Sequence, residues 1–160
     1  ANIARQHLFG SGNRESFYQK NRNYQHMMHQ AQKTLKDGLD VYHKSLNTKD
    51  DNLAEQSLNN VGNILSQVAK EQISMINSLN MSKGMFFDLS KSDVVVVEEY
   101  TKNVEQLVEN YNILIDALEK IDPESPILKR FKNERKELYN SREKMKNVKN
   151  KQVIHFDMSE

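Results

Sequence analysis

The sequence predicts an all-α fold, an antiparallel bundle of about four long helices with coiled-coil character. Three observations predict it. Apolar side chains recur in alternating steps of three and four over long stretches, the spacing of one helix face. Only five Gly and two Pro occur among 160 residues, so turns are few and elements long. A mean hydropathy of -0.81 with 37% hydrophobic residues suits helices that each bury one stripe rather than a thick core. The length fits one domain, divided as a flexible N-terminal arm over 1–15, the bundle over 16–150, and a tail or docking peptide over 151–160.

The first helix is expected from Ser16 to Leu46. From Tyr24 its stripe runs Met28, Ala31, Leu35 and Tyr42, with Gly38 in phase and Leu39 and Leu46 alongside. The polar run Asn47 to Asn52 supplies turn and capping side chains for the next start. The second helix carries Leu58, Val61, Leu65, Val68, Met75 and Leu79, with Gln72 as a polar intruder and Ile64, Ile73 and Ile76 widening the stripe. Between Gln56 and Ser82 the only charges are Lys70 and Glu71, which predicts contact on more than one face.

The third helix should begin near Ser92 or Asp93. Its positions Val97, Tyr100, Val104, Leu107, Tyr111, Leu114, Leu118 and Ile121 keep the alternation throughout, so the β-prone run Val94 to Val97 is read as helix. Asp122, Pro123, Glu124, Ser125 and Pro126 then make a tight helical hairpin, with Pro126 at the first position of the fourth helix and Ser125 as its cap. That helix follows Leu128, Phe131, Leu138 and Met145, but Arg135 and Arg142 fall in phase and make the seam narrow and partly wet.

Residues 88 to 124 hold ten acidic and three basic side chains, and residues 127 to 153 hold ten basic and three acidic. Folded back antiparallel, these helices should attract along their flanks, each exposed pair contributing about 0.2–1 kcal/mol. The competing reading sends the basic run to phosphates of a lipid surface. Nucleic acid is disfavoured by a net charge of +1 and the lack of interleaved aromatics.

No cysteine is present, which removes disulfides and thiolate chemistry and is compatible with a cytoplasmic protein. No apolar run is long enough to span a membrane and no signal sequence is visible. Residue 1 is Ala rather than Met, as in a trimmed chain or a fragment.

Candidate chemistry is sparse. His26 and His29 share a helix face, yet a metal needs three or four ligands and none sits one turn further along that face. Gly10, Ser11 and Gly12 start like a phosphate loop, but no strand precedes them and Glu15 stands where a third glycine is required. The carboxylate pairs Asp50/Asp51 and Glu98/Glu99 lie in caps and polar faces, not in an apolar pocket that would raise a pKa. Neither catalysis, nor a metal, nor a cofactor is expected.

Two segments look like docking elements for a protein partner. Met81, Met85, Phe86, Phe87 and Leu89 concentrate adaptable apolar side chains in a connection that should be polar. They could equally fold under and plug the bundle end. Ile154 and Phe156 lie in a tail that could add to a partner's sheet edge or dock as a peptide. Asn80-Met81-Ser82 also matches a glycosylation acceptor.

The run Leu118-Glu119-Lys120-Ile121-Asp122-Pro123-Glu124-Ser125-Pro126-Ile127-Leu128-Lys129 resembles the tip hairpin of BAR-type membrane-curving proteins, over about thirty residues. That resemblance implies a dimer whose basic face meets anionic lipid, here through Lys129, Arg130, Lys132, Arg135 and Lys136. The first expectation remains a scaffold or adaptor that binds proteins, with self-association through its helices an option. A peripheral membrane-surface protein is the alternative.

Overall fold

The computed structural model describes residues 5–9, 14–77, 79, 86–150 and 152–154. The fold is an all-α bundle of α1 (Arg14–Asn47), α2 (Asp51–Asn77), α3 (Lys91–Ile121) and α4 (Pro126–Asn150). At one end lie three short strands, β1 (Arg5–His7), β2 (Phe86–Leu89) and β3 (Gln152–Ile154). They form a parallel sheet in the order β1-β2-β3, with Gln6 beside Phe87 and Asp88 beside Val153. Each crossover in this sheet is a helical hairpin, so the sheet gathers the beginning of α1, the end of α2, the start of α3 and the end of α4.

The strands correct three expectations. The arm is not uniformly flexible: it contains β1, and Leu8 and Phe9 are 1% and 2% exposed. The physical reason is aromatic packing, since the Phe9 ring lies 5.2 Å from Phe17 and 6.0 Å from Tyr18. Helix α1 accordingly starts at Arg14, two residues before Ser16. Phe86–Leu89 forms the central strand rather than a loop, and Gln152–Ile154 pairs with β2 of its own chain. Phe, Leu, Val and Ile favour a pleated surface, and a parallel neighbour satisfies backbone groups that a loop leaves to water.

Helix starts follow capping chemistry. Asp50 Oδ1 accepts from the Leu53 amide at 3.1 Å, and Lys49 adopts φ 59° to turn the chain between α1 and α2. Ser90 and Asp93 form a reciprocal capping box at α3 with bonds of 3.1 and 3.0 Å. Val94 to Val97 are helical, as the downstream stripe requires. Pro126 opens α4, but Ser125 does not cap it through its side chain. Its carbonyl accepts from the Leu128 amide at 3.1 Å, while its buried hydroxyl has no hydrogen-bond partner among the described residues.

Helix α2 packs against all three others, which explains its scarcity of charge. Two glycines set how closely it does so. A Cβ on Gly38 of α1 would stand 2.1 Å from Val61 Cγ2, and one on Gly62 of α2 would stand 1.9 Å from Phe131 Cζ of α4. Both glycines therefore mark helix approaches that no larger residue permits without a shift. The intruder Gln72 is fully buried; its Nε2 donates to Tyr100 O at 3.2 Å, and the Tyr100 hydroxyl donates to Gln72 O at 2.7 Å. In the α4 seam the in-phase Arg135 and Arg142 are half-buried, and Arg142 stacks 4.9 Å over the Tyr139 ring.

Candidate functional site

Three features of the bundle could serve function: two carboxylate junctions, the charged outer surface of α3 and α4, and a crease between α1 and α2. The first junction is Asp93, whose side chain is completely inaccessible. It accepts from Arg14 Nε at 2.9 Å and Nη2 at 3.1 Å, from the Tyr18 hydroxyl at 2.5 Å, and from the Ser90 amide. Burial pushes its carboxyl up, but the bonds from Tyr18, Ser90 and Arg14 outweigh burial and hold it below the usual carboxylate range. The same contact raises Tyr18: burial, then its bond to Asp93, pushes the phenol up to about 12.

The second junction is Glu134 of α4. Its two oxygens accept from Ser66 Oγ of α2 at 2.8 and 2.7 Å, and Oε2 also accepts from the Tyr111 hydroxyl of α3. Arg130 Nε stands 3.6 Å from its other oxygen. Burial first, and the carboxylate second, raise the Tyr111 phenol. One carboxylate thus ties three helices together. Sequence reasoning missed it, because the in-phase position Tyr111 gave no sign that its hydroxyl needed a partner from another helix. Both carboxylates are bonded to side chains of neighbouring helices.

The residues expected to contact lipid are distributed unevenly. Lys129 and Lys136 are exposed and make no ion pair or hydrogen bond among the described residues. Arg130 donates to Asn63 Oδ1 at 2.9 Å and stacks 4.9 Å over Phe131. Lys132 pairs with Glu119 at 2.9 Å, and half-buried Arg135 donates to Asn112 Oδ1 at 2.8 Å. Three of the five are therefore engaged within the bundle.

Mutual compensation of the two oppositely charged helices is realised at one place only. Among the described residues, Lys132–Glu119 is the one ion pair between α3 and α4. Glu98, Glu105, Glu109 and Asp116 of α3 are exposed, and Glu99 accepts from Asn21 Nδ2 of α1 at 2.8 Å. The hairpin's seam is occupied by Tyr111, Leu114, Phe131 and Leu138 instead, which leaves most charges outside pairing distance.

The crease lies outside the α1–α2 contact. It encloses about 410 Å³, with Gly38 and Val61 in its lining and exposed Val41 and Leu53 beside them. Asp37 is its one ionisable lining residue, so it offers no acid–base pair. His26 and His29 are exposed, and the described residues contain no group of three metal-ligating side chains. Among the docking residues, Leu89 is fully buried and belongs to the core: as an inward position of the central strand it packs under the bundle end. Phe86, Phe87 and Ile154 lie in the sheet, whereas Met81, Met85 and Phe156 lie outside the described residues, as does the Asn80-Met81-Ser82 acceptor.

No described helix is long and apolar enough to cross a membrane. Compared with known proteins, the chain matches no family model, no curated protein and no solved structure.

Proposed function

We propose that this chain is a non-catalytic helical scaffold or adaptor module that binds other proteins within a larger assembly. One observation carries the reading: the Asp93 and Glu134 carboxylates are consumed in joining helices, while α4 presents lysines outward that no described residue pairs with. Lys129, Lys136 and Lys144 are exposed and without a partner among the described residues. A surface of this kind steers and selects partners more than it stabilises its own fold.

The test is a comparison of the chain with a K129E/K136E/K144E variant against each partner recovered from the native host and then purified. The reading expects at least a tenfold loss of affinity for one such partner. Unchanged affinity for all of them, or turnover of a substrate by the isolated chain, would overturn it.

The alternative is a BAR-like protein that uses the same basic helix on an anionic bilayer, through Lys129, Arg130, Lys132, Arg135 and Lys136. The exposure of Lys129 and Lys136 on one helix favours it. Salt-sensitive sedimentation with phosphatidylserine vesicles, lost in the same variant, is the result that would move the assignment from protein partners to lipid.

A further inference from the structure

We propose that the α3–α4 hairpin is a self-recognition surface, and that its partner is a second copy of this chain turned about a twofold axis parallel to the helices. This rests on the interaction-module reading above and names its partner. Helix α2 packs against both α3 and α4, through Gln72–Tyr100, Gly62–Phe131 and Ser66–Glu134. Apart from the Asn21–Glu99 contact with α1, the described residues leave the side of the hairpin away from α2 exposed.

Charge on that hairpin is segregated by helix. Helix α3 exposes four carboxylates, Glu98, Glu105, Glu109 and Asp116, against Lys91, Lys102 and Lys120, while Glu99 accepts from Asn21 Nδ2 of α1 at 2.8 Å. Helix α4 exposes Lys129, Lys136 and Lys144 without a partner among the described residues, together with Lys132 and Lys146, which pair with Glu119 and Glu143, whereas Arg130 turns back to Asn63 of α2. Since a single ion pair joins the two helices among the described residues, those residues leave most of this opposition unsatisfied.

Symmetry then selects one arrangement. A twofold axis lying along the helices places each α3 across from the partner's α4, so acid meets base on both sides of the axis. An axis running across the helices would set α3 on α3 and α4 on α4, bringing like charges together. The surface is also of adequate size. Helix α4 has 25 residues, hence about 37 Å of length, and two helices side by side offer about 700 Å² per copy, close to the ~800 Å² of specific interfaces. Being polar, the contact is weak and salt-dependent rather than obligate.

Sedimentation velocity of the full chain tests this. At low salt the sedimentation coefficient should rise with protein concentration, and high salt should return it to the monomer value. Reversal on α3 (E105K/D116K) or on α4 (K129E/K136E) should each weaken association at least tenfold. An equimolar mixture of the two reversed variants should associate again, because every facing charge is then opposite. A wild-type chain that stays monomeric at low salt overturns the proposal, as does association that either reversal leaves unchanged or that the mixture fails to restore. If a reversed variant loses its helical circular dichroism, the wild-type salt dependence decides alone. A monomer that still binds a purified host protein through α4 removes self-recognition but leaves the adaptor reading standing.

Discussion

The two hairpins of this bundle are built on different plans. Helices α1 and α2 come together where a glycine allows it, Gly38 against Val61, and α2 keeps almost no charge because three helices surround it. Helices α3 and α4 are spaced by rings instead, with Tyr111 and Phe131 centroids 6.2 Å apart, and they carry most of the charge on their outer faces. The difference teaches which parts of the chain are committed to cohesion and which are left for recognition. Apolar seams and the carboxylates of Asp93 and Glu134 hold the helices, and the charged outer surfaces of α3 and α4 contribute little to that hold.

Removing the ring that joins the two plans should have the largest effect. Phe131 is fully buried and reaches from α4 onto Gly62 of α2. Phe131→Ala should therefore cost about 3–5 kcal/mol in denaturant unfolding. A loss under about 1 kcal/mol would mean that the hairpins do not depend on this contact.

Next in size is the Asp93 junction, which ties α1 to the start of α3. Asp93→Ala removes a cap and leaves Tyr18 without its buried acceptor, so a loss of about 2–4 kcal/mol is expected. Because the folded carboxyl titrates below its unfolded value, its contribution is complete above the ordinary carboxylate range near ~4 and disappears as pH falls through the lower folded value. The stability of Asp93→Asn should consequently fall less steeply on acidification than that of the wild type. Parallel acid profiles would contradict the assignment.

Smaller effects should follow from crowding the two glycines. Gly38→Ala and Gly62→Ala should each cost about 1–3 kcal/mol. Gly62→Ala should be partly relieved by Phe131→Leu, which withdraws the ring, whereas Gly38→Ala should be indifferent to that change. Equal response of both glycines would erase the distinction between the hairpins.

Much of this plan is legible in the sequence. The α3 stripe from Val97 to Leu118 is buried as its spacing requires, and Ile121 is half-buried at the end of the helix. The charge-poor α2 reads correctly as a helix with several neighbours. Periodicity succeeds there because one burial direction repeats over about six turns. It fails for β1, β2 and β3, since strands of three or four residues are too short to show an alternating pattern. It also fails at Glu134 and Ser125. Whether a polar side chain finds a buried partner depends on which helices meet at what height, and spacing along one chain does not contain that.

For the surface, the basic excess of α4 is legible, but its division is not. Arg130, Lys132 and Arg135 are occupied by Asn63, Glu119 and Asn112, and only the folded hairpin separates them from Lys129 and Lys136.

The claim that α4's outward lysines are spare to the fold is tested most directly by the thermal midpoint of the K129E/K136E/K144E chain, followed by circular dichroism at moderate salt. Exposed substitutions of this kind change stability by about 0.5 kcal/mol or less each, so a shift under about 5 °C with full helicity is the expected result. A fall of more than about 10 °C would show that these charges hold the bundle together, and the division between cohesion and recognition would be wrong.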